Sequence, residues 1–330
     1  MSLTRRQCLL MLGAAANSIA AAPLGAKWRE IAAATDGVVG AAALVLGTGP
    51  DAGQTISLNG DARFPLASVC KLPIAMNIFA MVDEDKLTPD QEIEVLPHDV
   101  VSSVSPLAAR WPAQRKFPLG EMVEEMVAHS DNTAVETFFR IGGEGPGMAA
   151  RFRQWKVAGI RLDRSERQCG LDRNGVGHYP APDQWTDAEI LRLIDNTPQA
   201  AKYRATQRFL NDPRDTATPN GTVTLLARLF NGEALSKAST NRLIEILKTT
   251  TSFPTRIKGL LPPGTVVAHK TGSTGTTGTL TAGTNDSGVI YLPGGRLLAL
   301  SVYVKASTKN DEVRDAVIAQ IARAAFDHFV

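Results

Sequence analysis

Strand-length apolar runs gather near both ends of this 330-residue chain, and a long stretch of helical periodicity lies between them. Val38–Leu46 and Gln54–Leu58 read as strands around the turn Gly47-Thr48-Gly49-Pro50-Asp51, after a short helical stretch at Trp28–Thr35. Helical spacing runs from Ser68 to about Phe230 and includes Leu72–Val82, Leu119–Ser130, Thr133–Ile141, Gly147–Val157 and Asp187–Asp195. Strand signals return at Val266–Lys270, Thr279–Gly283, Val289–Leu292 and Leu297–Val304, the last pair joined at Pro293-Gly294-Gly295. From about Asp311 an amphipathic helix closes the chain, with Val313, Val317, Ile321, Ala325 and Phe329 at helical spacing. The simplest assembly joins both strand groups in one antiparallel sheet covered by the terminal helices. The helical middle is then a second lobe, with the small-molecule cleft expected between the two.

Composition removes several function classes. The 35 Lys and Arg against 33 Asp and Glu give 35 − 33 = +2, which leaves no electrostatic footprint for nucleic acid. Three cysteines (Cys8, Cys70, Cys169) make neither a disulfide scaffold nor a cysteine-rich zinc site. The five histidines form no His-Glu-x-x-His pattern, so neither a metal nor a cofactor is expected. Residues 1–26 have the layout of an export signal. Arg5-Arg6 precede a modest apolar stretch that ends near Ala20-Ala21-Ala22 or Leu24-Gly25-Ala26, and the arginine pair resembles a twin-arginine signal. Asn17 and Ser18 break the stretch below the ~20 apolar residues a membrane span needs, and no other segment could span. A periplasmic or secreted monomer is expected, with a single domain over residues 27–330. In that compartment Cys70 and Cys169 either pair or remain two free thiols.

Three short motifs carry chemistry. Ser68-Val69-Cys70-Lys71 opens an apolar helical run, and residues three apart share a helix face. The Lys71 ammonium can therefore reach the Ser68 hydroxyl, which becomes a useful nucleophile only when a neighbour takes its proton. Ser130-Asp131-Asn132 offers a hydroxyl for proton relay and an amide that both donates and accepts, although all three types are also ordinary helix caps. Lys270-Thr271-Gly272 ends the strand Val266–His269, with Ser273 after it. Its ammonium and hydroxyl suit a carboxylate, and the glycine leaves space for a ligand at the strand edge. Backbone N–H groups of Ser68 and Ser273 aimed together would form an oxyanion hole. Singly, each motif is weak. Their joint order and spacing are not.

The set Ser68-x-x-Lys71, Ser130-Asp131-Asn132 and Lys270-Thr271-Gly272 resembles that of the class A serine β-lactamases. The likeness extends through Arg161-Leu162-Asp163-Arg164-x-Glu166, Arg214-Asp215-Thr216-Ala217-Thr218-Pro219 and Thr284-Asn285-Asp286. It implies an α/β two-lobe fold: a five-stranded antiparallel sheet flanked by terminal helices, plus an all-helical lobe. The α/β lobe would take about 27–62 and 216–330, and the helical lobe about 63–215. The resemblance also assigns roles. Ser68 attacks the lactam carbonyl of a small-molecule β-lactam, with Lys71 as its base or the base's partner. Ser130 passes the proton to the departing nitrogen. Asn132 holds the side-chain amide, Lys270 and Thr271 hold the carboxylate, and the Ser68 and Ser273 amides polarise the carbonyl. Glu166 activates the water that hydrolyses the acyl-enzyme.

The chain departs from that pattern in three places. The family's Glu-x-x-Leu-Asn continuation reads Glu166-Arg167-Gln168-Cys169-Gly170, so the amide that helps hold the water is missing. Glu166 and the salt-bridge residue Asp215 are 215 − 166 = 49 positions apart. An Ω-loop of about 6–16 residues would join such points, so roughly three dozen residues are inserted, over about 171–210. They form either an extra surface subdomain or a wall of the cleft. Val104 stands where the family often has an aromatic ring. Besides a β-lactam hydrolase, two alternatives fit these departures: a slowly deacylating penicillin-binding sensor, and a peptidase or esterase on the same scaffold.

Overall fold

The computed structural model describes residues 23–48 and 51–330. Its centre is a five-stranded antiparallel sheet of β1 (Val38–Leu46), β2 (Thr55–Leu58), β3 (Val267–Ser273), β4 (Thr284–Tyr291) and β5 (Leu297–Lys305), in the order β2-β1-β5-β4-β3. The two strand groups meet where β1 pairs with β5, Val38 opposite Lys305 and Leu46 opposite Leu297. Both faces of β1 and β5 are covered, which is why these strands read as continuous apolar runs. Val39, Ala41, Ala43 and Val45 alternate with Ala42 and Leu46 between two separate cores.

The first core lies under the terminal helices α1 (Leu24–Ala32) and, at the end of the chain, Asp311–Phe329. Trp28 is fully buried there and donates its indole N–H to Ile321 O at 3.2 Å. Leu24, the first residue of α1, is only 3% exposed and packs in the same core. Residues 1–22 of the expected export signal, and Gly49-Pro50 of the first turn, lie outside the described residues.

The second core fills the helical lobe. It gathers α2 (Lys71–Asp83), α3 (Leu119–Ala128), α4 (Asn132–Ile141) and α5 (Glu144–Gln154). α2 is its axis, with Leu72, Ile74, Met76 and Ile78 each no more than 2% exposed. Between Glu166 and Asp215 the chain forms α6 (Glu166–Arg173), α7 (Asp187–Asn196) and α8 (Gln199–Phe209). After Asp215, α9 (Pro219–Phe230) packs on β1 and β5, and α10 (Lys237–Lys248) packs on β3 and α2. The closing helix is α11.

Two strand expectations need correction. Thr279–Gly283 is not a sheet strand: only Leu280–Thr281 pairs, with Thr276–Thr277, in a separate two-stranded ribbon. β3 continues to Ser273, so the Lys-Thr-Gly motif lies inside the strand and not at its end.

Candidate active site

Ser68 stands on a 3-10 turn, Ala67–Cys70, that runs directly into α2. Residues three apart eclipse in such a turn, so Ser68 and Lys71 face the same way. Ala67 enters it at φ 46°, a left-handed conformation that a residue with a Cβ adopts only when it is held there. Asn285 of β4 supplies one restraint, donating from Nδ2 to Pro65 O at 2.8 Å and Leu66 O at 3.0 Å. Gly272 of β3 permits the other. A Cβ at Gly272 would lie 2.9 Å from Val69 N and 3.0 Å from Ser68 N, so the motif's glycine makes room for the serine turn itself and not for an arriving ligand.

The Lys71 side chain has no exposed surface and is the hub of the site. Its Nζ lies within hydrogen-bond distance of Ser68 Oγ at 3.1 Å, Ser130 O at 2.8 Å, Ser130 Oγ at 3.2 Å and Asn132 Oδ1 at 2.6 Å, which share its three N–H groups. Glu166 Oε2 lies 3.4 Å from the same ammonium. Lys270 Nζ reaches Ser130 Oγ from the other side at 3.1 Å, and Thr271 O at 2.9 Å. Two ammonium groups thus flank one hydroxyl. Burial, reinforced by the neighbouring Lys71 charge, pushes Lys270 down to about 7.

Asp131 explains why Ser130 and Asn132 can meet Lys71. It caps α4 by accepting from Ala134 N at 2.8 Å, and it also accepts from Leu107 N and Ser105 Oγ, each at 2.9 Å. The capping duty falls on the middle residue alone. Ser130 takes φ 64° beside it, which turns its hydroxyl into the site. Asn132 Nδ2 donates to Ser103 O at 2.9 Å. Val104 is 63% exposed and contributes only its carbonyl, which accepts from Asn132 N at 3.0 Å.

Six of the eight expected site residues therefore converge: Ser68, Lys71, Ser130, Asn132, Glu166 and Lys270. Thr271 and Ser273 follow on β3 with hydroxyls already engaged. Thr271 Oγ1 lies 2.7 Å from Ser252 Oγ, and Ser273 Oγ accepts from Arg256 Nη2 at 2.7 Å. Arg256 is 1% exposed and also donates to Gly272 O, Asn285 O and Asp315 Oδ1, tying β3 and β4 to α11. Sequence reading missed it. It sits in a loop segment, and nothing in the order of residues marks a buried arginine.

Glu166 opens α6, whose first turn is held by a second missed residue, Glu136 of α4: its Oε1 accepts from Arg167 N at 2.7 Å. A carboxylate at a helix N-terminus is favourable, yet burial pushes the Glu136 carboxyl up to about 7. The base of the loop is closed by Arg164, whose Nε donates to Asp215 Oδ2 at 2.5 Å and Nη1 to Asp172 Oδ2 at 2.6 Å. The inserted segment has a small core of its own, Leu171, Val176, Trp185 and Ile190, with Tyr179 edge-on to Trp185. It is also a wall. Ile190, Leu191, Ile194 and Phe209 line one cavity together with Leu66, Ala67, Asn132 and Glu166. Gly170, one turn along α6 from Glu166, faces open space: a Cβ there would meet nothing within 4 Å. Cys70 and Cys169 line the same cavity unpaired, and burial pushes the Cys169 thiol up to about 12.

The chain is similar to known proteins over nearly its full length. The profile of the β-lactamase enzyme family matches residues 23–329. The extended-spectrum β-lactamase PER-1 of Pseudomonas aeruginosa is 30% identical over 284 residues, covering 84% of this chain and 79% of the relative. β-Lactamase VEB-1 of the same organism is 29% identical over 280 residues, covering 84% and 82%. Among solved structures, a β-lactamase from Chitinophaga pinensis superposes with a TM-score of 0.77 at 30% identity, covering 93% of this chain and 99% of that one. The TLA-1 extended-spectrum β-lactamase gives 0.76 at 26% identity, covering 93% and 98%.

Proposed function

Because the chain belongs to the class A serine β-lactamase family, we propose that it opens β-lactam rings through an acyl-enzyme on Ser68, as an exported monomer. The observation that carries this reading is the single ammonium of Lys71 within hydrogen-bond distance of Ser68 Oγ, Ser130 Oγ and Asn132 Oδ1, and 3.4 Å from Glu166 Oε2. Ser68 Oγ bonds to the lactam carbonyl carbon as its proton passes to Lys71, once that ammonium has given a proton to Glu166, or to Glu166 through a water. The C–N bond then breaks as Ser130, flanked by Lys71 and Lys270, delivers a proton to the nitrogen. Lys270 and Thr271 hold the substrate carboxylate, Asn132 the side-chain amide, and the Ser68 and Ser273 N–H groups the developing oxyanion. In the second half Glu166 takes a proton from water, whose oxygen attacks the ester carbonyl; the Ser68 Oγ–C bond breaks, and the proton taken from water passes back to Ser68 Oγ. Export would proceed with cleavage near Ala20–Ala22, which leaves Leu24 in the first core.

Steady-state hydrolysis of a chromogenic cephalosporin between pH 5 and 9 tests the reading. No turnover at any pH would overturn it. Where turnover occurs, kcat/KM reports the free enzyme. Lys270 is cationic below about 7 and neutral above it, so attraction for the lactam carboxylate is full on the acid side and lost as pH rises through that value. We expect kcat/KM to fall on the alkaline limb with a midpoint near 7. In Lys270→Arg, whose guanidinium keeps its charge, the limb should move beyond pH 9. A flat wild-type profile up to pH 9 would show that Lys270 keeps its charge through that range.

Gly170 supports a further expectation, that deacylation limits the rate because the water beside Glu166 lacks one holding group. Gly170→Asn has open space to enter and replaces a poor helix former. It should raise the acyl-enzyme decay rate several-fold and leave thermal stability equal or slightly higher. An unchanged decay rate in single-turnover measurements would count against it.

A further inference from the structure

One inserted helix joins the Glu166 segment to the chain that continues from β3. α6 begins at Glu166 and ends at Arg173. Just past its end Gly175, at φ 74°, lets the chain run close to α8: a Cβ there would lie 3.0 Å from Ala205 Cβ and 3.1 Å from Ala201 O. α8 also meets the ribbon of Thr276–Thr277 and Leu280–Thr281, which follows Ser273. Tyr203 lies against Gly278 in that ribbon's turn. Thr206 stands at the junction and has no exposed surface, and Thr277 is 6% exposed. Thr206 Oγ1 lies 3.1 Å from Thr277 Oγ1 and 3.4 Å from Arg173 O, and Arg173 Nη1 donates to Thr277 Oγ1 at 3.4 Å. The ribbon is itself fastened to the sheet lobe. Thr281 N donates to Ser307 O at 2.9 Å, just past β5, and Thr274 N donates to Gly283 O at 3.0 Å.

α6 is therefore held at both ends. Near Glu166 the anchors are Glu136 on Arg167 N and Asp215 on Arg164, and at the far end they are two buried hydroxyls. A helix of 8 residues is roughly 10 Å long, so a swing of ~2 Å at its far end turns the whole element by ~10°. Catalytic groups tolerate a misaim of only about 10–20°. Gly170 offers no side chain to hold the water, so the aim of Glu166 carries more of the second half-reaction. We propose that Thr206 and Thr277 are positioning residues: their buried contact latches the Glu166 helix to the ribbon beyond β3 and keeps its carboxylate aimed at the Ser68 ester.

This inference rests on the reading of Glu166 as the deacylating base, and single-turnover kinetics on the full chain separate the two. Thr206→Val and Thr277→Val each remove one hydroxyl and keep the branched shape. Each should slow acyl-enzyme decay roughly 5- to 30-fold, with the acylation rate held within about twofold. The double variant should decay no more slowly than the slower single one, because the same contact is lost in all three. Thr206→Ser should keep the wild-type rate. Amide hydrogen exchange over residues 166–173 should quicken in the valine variants while exchange in β1 stays unchanged, which a general loss of stability would not produce. Thr277→Val, on the short ribbon, carries the test if Thr206→Val does not fold. Decay unmoved by either valine, acylation slowed as much as decay, multiplying effects in the double variant, or Thr206→Ser as slow as Thr206→Val would overturn the latch. Faster exchange with an unmoved decay rate would overturn it too, since the contact would then hold the segment without aiming Glu166. A wild-type protein that forms no adduct would sink the hydrolase reading itself, whereas normal wild-type turnover with unmoved variants would sink the latch alone.

Discussion

Ser68→Ala should lower turnover of a chromogenic cephalosporin by at least about 10⁴-fold, because the attacking oxygen is gone and no neighbouring hydroxyl can replace it. Ser130 Oγ is also close to Lys71, at 3.2 Å, but it is fixed between two ammonium groups on the far side of the hub. The fold should tolerate the change. Lys71 loses one hydrogen bond of 3.1 Å and keeps its bonds to Ser130 O and Asn132 Oδ1, so the cost should be about 1 kcal/mol. Steady-state rates and a thermal melt together check this. More than about one per cent residual activity in a well-folded variant, set against the factor expected for a lost nucleophile, would mean that the acyl group is carried elsewhere.

Glu166→Gln should divide the reaction in the middle. Glutamine keeps the shape but cannot accept the water's proton, and a positioned general base contributes roughly 10²- to 10⁴-fold. Acylation of Ser68 should continue, because Lys71 retains Ser68, Ser130 and Asn132 as partners. Decay of the adduct should slow by that factor, so intact-protein mass spectrometry would find protein plus intact lactam mass persisting long after mixing. Two other results are informative. Rapid return to the free mass would take deacylation away from Glu166. A persistent adduct already present in wild type would favour the slowly deacylating sensor.

The site was legible in the sequence because its residues are few, polar and locally spaced. A serine three positions before a lysine is a statement about one turn of chain, whatever the rest of the fold does. β1 was legible for a similar reason: Val38–Leu46 is apolar at every position because both its faces are covered. The residues that aim the site were not legible. Arg256 and Glu136 are buried charges whose partners lie far away in the chain, as with Arg256 Nε against Asp315 Oδ1 at 2.8 Å and Glu136 Oε1 against Arg167 N at 2.7 Å. Burial of polar groups also hid the first half of β4, where Thr284, Asn285, Asp286 and Ser287 are at most 1% exposed and leave no apolar pattern. α6 was missed because Glu-Arg-Gln-Cys-Gly-Leu-Asp-Arg buries only Arg167 and Leu171. Its helical form follows from the Ser165 cap, accepting from Gln168 N at 3.2 Å, and from packing against α8.

The pairing of β1 with β5 also governs when the molecule can come into being. Val38 finds Lys305, and Trp28 finds Ile321, only after almost the entire chain has left the ribosome. Until then β1 has β2 as its only strand partner among the described residues, and a lone two-stranded ribbon is marginal in water. Closing so large a separation is slow. The helical lobe can gather around α2 earlier, but Gly272 and Asn285, which hold the Ser68 turn, belong to strands translated near the end. Birth order and assembly order are thus opposed: the serine is made early, and its working conformation is among the last things the chain acquires.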